Sequence, residues 1–283
     1  MFIGYKQNDK IDIEGIGSQY QKMITLLSVA KRHNLKFIYI RPKIGHNKFN
    51  LNDWDEKWEK MFNIKKLCNN DEINDDINSI EKKYTESLTF SSLLSLNNND
   101  KILNLYFYAF EIFDSNPDFY LSNIQNDLIN AYDENNSDRK LIYDKNKTNI
   151  AIHIRVFNDF DLNDELNNYK LNISPRFYMT CDRYIKIIND LKIKYPNSDI
   201  HIFSQEKYFD LNYKKLRDIE GIKLHFDDLD TFDTLHHLCK ADVLLMGLSS
   251  FSILAAFYNK NTVICFPYYH PPSLKKWQLL KFI

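Results

Sequence analysis

The run VLLMGLSSFSILAAFYNKNTVICF, Val243 to Phe266, holds two short apolar stretches, Val243–Met246 and Val263–Phe266, on either side of an apolar segment of helical length, Phe251–Tyr258. Apolar runs of about four residues suit buried strands, and a longer run opened by small hydroxyl residues suits a helix. The same alternation continues upstream. Ile222–Phe226 reads as a strand before a helix over Phe232–Cys239, and Ile200–Phe203 as a strand before a helix over Tyr208–Leu216. Ile150–Ile154 reads as the first strand, followed by a helix opened at Ser174-Pro175, with Phe177, Cys181, Tyr184, Ile188 and Leu191 as its buried stripe. Pro is at ease at the first helical position, which supports that start. Five apolar runs separated by helices predict a parallel, doubly wound α/β sheet over the C-terminal half, and such sheets bind ligands at the carboxyl ends of their strands.

Two features converge on that edge. Ser249, Ser250 and Ser252 stand between the strand and the helix, where the first helical N–H groups lack partners and carry the positive end of the dipole. A phosphate is stabilised there, although a serine N-cap on an ordinary turn uses the same residues. About a hundred residues earlier, the first strand ends in His153-Ile154-Arg155. An Arg at the carboxyl end of a central strand faces the same crevice, and its fork of donors meets two phosphate oxygens at once. The alternative is a strand-end Arg155 paired with Asp159 or Asp161 and a core His153.

The chain has 283 residues, room for two domains of ordinary size. We place them at residues 1–140 and 141–283, with the polar stretch DENNSDRKLIYDKNKTN as the connection. Its formal charge of −1 provides no global basic field for nucleic acid or an anionic membrane, so anion recognition has to be local. No signal-peptide core and no apolar stretch approaching the roughly 18 residues of a membrane span occurs, which predicts a soluble, cytoplasmic protein. The four cysteines are widely spaced and suggest neither a disulfide framework nor a metal site.

The N-terminal half opens with Phe2-Ile3-Gly4, a loop, and then Gly15-Ile16-Gly17-Ser18, from which Tyr20, Met23, Ile24, Leu27 and Ala30 recur at helical spacing. Phe37–Ile40 reads as a strand, residues 52–67 as an amphipathic helix, Leu103–Phe113 as β-like, and Phe119–Tyr132 as a helix. Trp54 and Trp58, four apart on that helix, are either core aromatics or a sugar-stacking pair.

Several segments resemble the fucosyltransferase superfamily, which includes the α-1,2-, α-1,6- and protein O-fucosyltransferases. HIRVFND at 153–159 is similar to its His-x-Arg-x-x-Asp motif. SPRFYMTCDRYIKIIND at 174–190, HIFSQEKYF at 201–209, LCKADVLLMGLSSFSILAAFYN at 238–259 and EGIGSQYQKMITLLSVAKRHN at 14–34 resemble further family segments in the same order. The resemblance implies two Rossmann-like domains of the GT-B type, with a C-terminal donor domain and an N-terminal acceptor domain. It further implies that Arg155 holds the donor pyrophosphate and that Ser249, Ser250, Phe251 and Ser252 assist. His153 and Ser204 would line the nucleotide, and Asp233, with Asp230 as rival, would reach the base. Gly15, Gly17, Ser18 and Gln19 would lie on the acceptor side. Where the family carries a further Arg and a Gly, this chain has Val156 and Phe157, and Ser204-Gln205-Glu206 departs from the family's acidic strand end.

The implied activity is sugar transfer from a nucleotide donor, GDP-fucose by resemblance, to a glycan hydroxyl. The leaving pyrophosphate gathers negative charge, and a fixed Arg with helix N–H groups stabilises it without a metal or another cofactor. An inverting transfer needs a base, for which Glu14 and His46 are the candidates. Two other readings stand beside this one: a non-catalytic nucleotide-sugar or glycan-binding module of the same fold, and an unrelated Rossmann enzyme. The latter lacks its GxGxxG fingerprint, for which Gly15-Ile16-Gly17 is a weak substitute.

Overall fold

In the computed structural model the chain separates into two compact units. The first comprises Met1–Asp138 with His270–Lys275, and the second Arg139–Tyr269 with Lys276–Ile283. The structure describes residues 2–5, 15–45, 52–68, 101–103, 116–156, 179–226, 228–266 and 274–280.

Unit 2 is built on a six-stranded, wholly parallel sheet. Its strands are β4 (Thr148–His153), β5 (Ser198–Phe203), β6 (Ile222–His225), β7 (Val243–Leu245), β8 (Thr262–Cys265) and β9 (Gln278–Leu279). They lie in the order β6-β5-β4-β7-β8-β9, with β4 paired to β5 on one side (Ile150↔Ile200) and to β7 on the other (Ile150↔Val243). The chain therefore winds outward from β4 to β6, then returns to start the other half at β7. This is the strand order of a Rossmann sheet, whose crevice opens where the direction reverses.

Alternation along the strands explains why both faces are covered. Ile150, Ile152 and Ile154 point into one core with Ile200, Ile202, Val243, Leu245 and Ile264. Helix α5 (Cys181–Lys194) closes that core with Tyr184, Ile187, Ile188 and Leu191. The opposite face carries Ala151, His153, His201 and Phe203, as a period of two requires. Against it lie α7 (Thr231–Lys240), whose His237 ring is 5.8 Å from that of Phe203, and α8 (Ser250–Tyr258), which meets His153 through Ser252. A short helix α6 (Glu206–Tyr213) follows β5.

Two details depart from the sequence reading. The helix opens at Cys181 with Thr180 as N-cap, its hydroxyl accepting from Arg183 N at 3.3 Å; Ser174-Pro175 falls outside the described residues. A sixth strand, β9, extends the sheet by pairing Ile264↔Gln278. Two exposed residues carry no period that a sequence reading could detect, and the pairing to β8 alone makes them a strand.

Unit 1 contains a second parallel sheet, in the order β2-β1-β3, from β1 (Phe2–Gly4), β2 (Lys36–Ile38) and β3 (Lys101–Leu103). Residues beyond Leu103 in the expected β-like run fall outside the described set. Helix α1 (Ile16–Arg32) is buried over most of its length, polar positions included. Helix α2 (Trp54–Phe62) ends at Asn63, whose φ of 52° breaks the expected longer helix; asparagine is among the few residues that tolerate this left-handed conformation. The expected single helix over 119–132 is instead α3 (Pro117–Leu121) and α4 (Gln125–Asn136). Asn116 caps α3 by accepting from Phe119 N at 3.3 Å, with Pro117 at its first position. No described helix is long and apolar enough to cross a membrane.

Candidate functional site

The reversal point between β4 and β7 brings together residues almost a hundred positions apart. The Ser252 hydroxyl meets Nδ1 of His153. The same oxygen accepts from Gly247 N–H at 3.1 Å. The serine oxygen has one proton and two lone pairs, so while accepting from Gly247 it can either donate to Nδ1 or accept from it, and the His153 tautomer sets which. Burial pushes the His153 imidazole down to about 3, and the Arg155 charge adds to the effect. His153 is therefore neutral near pH 7 and carries one N–H donor.

Helix α8 begins as its residues dictate. Ser249, in an extended conformation, is its N-cap and accepts from Phe251 N at 3.3 Å. The backbone of Ser252 donates to Ser249 O at 3.0 Å. Among the described residues no hydrogen bond engages the N–H of Ser250, the first residue of the helix. Ser249 and Ser252 are buried, while Ser250 and Phe251 are half-buried; the Phe251 ring lies 5.5 Å from that of His153. An unpaired first amide and the helix dipole favour an anion, and the Arg155 charge acts on the neighbouring His153.

Gly247 was not among the residues read from the sequence. A Cβ built on it would stand 2.4 Å from the His153 carbonyl oxygen and 3.0 Å from its Nδ1. The β4 and β7 ends approach this closely because only hydrogen occupies that place. A glycine at a strand end in a chain with six in all was the signal that could have found it.

The remaining expected residues fall out as follows. Arg155 lies two residues beyond β4 and is half-buried; Asp159 and Asp161, its alternative partners, lie outside the described residues. The Ser204 hydroxyl donates to Ile154 O at 2.8 Å and its N–H to His225 O at 3.0 Å, tying the ends of β4, β5 and β6 together. Asp233 accepts from Arg139 at 2.6 Å, and Asp230 is the N-cap of α7, accepting from Asp233 N at 2.7 Å. Both carboxylates thus have structural partners.

In unit 1, Gly15 is the N-cap of α1, Gly17 is buried and Ser18 half-buried. Gln19 is fully buried and its Oε1 accepts from the Tyr5 hydroxyl at 2.8 Å, so it braces the turn from behind. Glu14 and His46 lie outside the described residues. Trp54 and Trp58 are buried against each other, centroids 5.5 Å apart and edge to face, and Trp58 stacks on Phe62. They are core aromatics, with no face left for a sugar. Among the described residues no group of three or more His, Cys, Asp or Glu side chains is arranged to hold a metal.

No protein-family model matches the chain, and no curated protein matches it significantly. Among solved structures, it is similar to POFUT1 in complex with GDP, with 13% identity, 92% of this chain and 94% of that chain covered, and a TM-score of 0.42. POFUT1 in complex with GDP-fucose is similar at 10% identity over 92% and 95% of the two chains, with a TM-score of 0.42. NodZ alpha-1,6-fucosyltransferase soaked with GDP-fucose is similar at 11% identity over 91% and 92%, with a TM-score of 0.39. At these TM-scores the likeness adds nothing to the strand order and site geometry, which stand on their own.

Proposed function

We propose that this protein is a glycosyltransferase of the GT-B type that takes a sugar from a nucleotide donor, GDP-fucose by its sequence resemblance, and transfers it to a glycan hydroxyl. The observation that carries the reading is the His153–Ser252 pair at the reversal point of the sheet, with Arg155 two residues beyond one partner and the start of α8 at the other. Phosphate chemistry suits that place. In the proposed reaction the bond between the anomeric carbon and the pyrophosphate breaks as the acceptor oxygen attacks from the opposite side. Arg155 and the first N–H groups of α8 take up the charge that grows on the leaving pyrophosphate, a contribution larger in the transition state than in the ground state. His153 contributes a buried imidazole that stays neutral. That set needs no metal to balance the leaving charge. Glu14 and His46 remain the proposed bases, and Gly15, Gly17 and Ser18 the proposed acceptor-side turn, with Gln19 supporting it.

Calorimetric titration of GDP and GDP-fucose, with and without EDTA, followed by a hydrolysis assay, tests the reading. Binding and turnover are expected to survive EDTA and to be lost in Arg155→Ala, with the melting temperature little changed. A fully active Arg155→Ala protein would falsify the assignment. Tight binding without turnover on any acceptor would point instead to a non-catalytic nucleotide-sugar module. Activity abolished by EDTA and restored by manganese would overturn the metal-independent mechanism.

A further inference from the structure

The sheet face that carries His153 also carries a group of buried imidazoles outside the anion site. His201 on β5, His237 on α7 and the half-buried His225 on β6 surround Phe203 and Tyr143, with the buried His236 beside His237 on α7. Across this group runs the strap Arg139–Tyr143, by which the chain enters unit 2. Its Leu141 and Ile142 side chains are exposed at 40% and 41%, so burial of those side chains does little to hold the strap down.

Its backbone is held by His237. The Ile142 N–H donates to Nε2 of His237 at 3.0 Å. Nδ1 of the same ring donates to the carbonyl of Asp233, one turn earlier on α7, at 2.6 Å. The Tyr143 hydroxyl donates to the His237 carbonyl at 2.8 Å, and Arg139 pairs with the Asp233 carboxylate at 2.6 Å. One ring nitrogen must therefore carry a proton and the other must not, which only neutral imidazole satisfies. A proton added at Nε2 would face the Ile142 N–H donor to donor.

We propose that His237 is an acid-sensitive latch: neutral, it pins the strap Arg139–Tyr143 to helix α7, and protonated, it releases the strap. This rests on the geometry of unit 2 alone and is independent of the transferase reading.

Burial holds the His237 imidazole below its ordinary value, with the His225 side chain acting in the same direction. The Asp233 carbonyl and carboxylate and the Asp228 carboxylate oppose it. The other groups on this side are His236, next to it on α7, His201 from β5, and Arg139 and Tyr143 from the strap. The sign follows: the latch is closed above the ordinary histidine range and opens as pH falls through the depressed value.

Amide hydrogen exchange on the 283-residue chain, corrected for the intrinsic pH dependence, reads the latch directly. Protection of the Ile142 amide is expected to fall at least tenfold between pH 7 and pH 5 while Ile150 and Ile152 in β4 keep theirs. In His237→Gln, whose amide oxygen can accept from Ile142 at any pH, that dependence should vanish; in His236→Gln it should persist. Should the glutamine variant fail to fold, NMR titration of the wild-type imidazoles decides, because the His237 midpoint must coincide with that of Ile142 deprotection. A pH-independent Ile142 amide overturns the latch. So does an acid response that survives unchanged in a folded His237→Gln, disappears in His236→Gln, or follows another histidine.

Discussion

Gly247 stands so close to His153 that a single added carbon would lie 2.4 Å from the histidine carbonyl oxygen. Backbone, unlike the far end of a flexible side chain, cannot turn aside. The contact joins the ends of β4 and β7, the two strands between which the winding of the sheet reverses.

Replacing Gly247 by Ala therefore has to push β4 and β7 apart. We expect a loss of about 1–3 kcal/mol, the usual range for overpacking, together with at least tenfold weaker binding of GDP. Chemical denaturation and calorimetry on the same preparation measure both. Wild-type values for Gly247→Ala would mean that the two strand ends are not in contact.

Ser252→Ala removes the hydroxyl that accepts from Gly247 and shares a hydrogen bond with Nδ1 of His153. The site is buried, so the orphaned partners are expected to cost about 1–3 kcal/mol. Nδ1 of His153 should also lose its hydroxyl partner, which nitrogen-15 shifts of the ring would register. A ring spectrum identical to wild type would contradict the assigned hydrogen-bond chain.

Four imidazoles give the native state a shared acid sensitivity. Burial pushes His153 down to about 3, His201 and His236 to about 4, and lowers His237 as well. Each has its ordinary value of 6.5 once unfolded, so the unfolded chain binds more protons throughout the interval between. Their contribution to stability is complete above pH 6.5 and is lost as pH falls, down to about 4 for His201 and His236 and about 3 for His153. Unfolding at pH 5 should take up roughly three protons at His153, His201 and His236, measurable as the slope of stability against pH. A melting temperature flat between pH 7 and pH 4.5 would show that the rings are not buried neutral.

Trp58→Ala separates a core role from sugar binding. The indole is buried between Trp54 and Phe62, so its removal should cost about 3–5 kcal/mol and loosen unit 1. Trp58→Phe should recover most of that loss. A stable Trp58→Ala protein that had lost only glycan affinity would reverse the assignment.

How much of this was legible varies with the range of the interaction. The apolar runs Ile150–Ile154, Ile200–Phe203, Ile222–Phe226 and Val243–Met246 are strands because local pattern and burial agree along them. Ser249 reads as a cap because a hydroxyl before an apolar helix has a local partner in Phe251 N. Asn63 and β9 were missed for opposite reasons. At Asn63 the apolar stripe continues past a break that a single left-handed residue makes. At Gln278–Leu279 no stripe exists, and strandhood comes entirely from Ile264 alongside.

By itself the sequence determined the alternation of strands and helices in unit 2, the hydroxyl-rich start of α8 and the Arg that follows the first strand, because period, capping and charge act over a few neighbouring residues. The tertiary structure decided the rest: that β4 lies between β5 and β7, that Ser252 reaches His153, that Gly247 must be bare, and that His237 holds Ile142. Those relations join residues fifty to a hundred positions apart through packing across a sheet, and no local period encodes which strand will become another's neighbour.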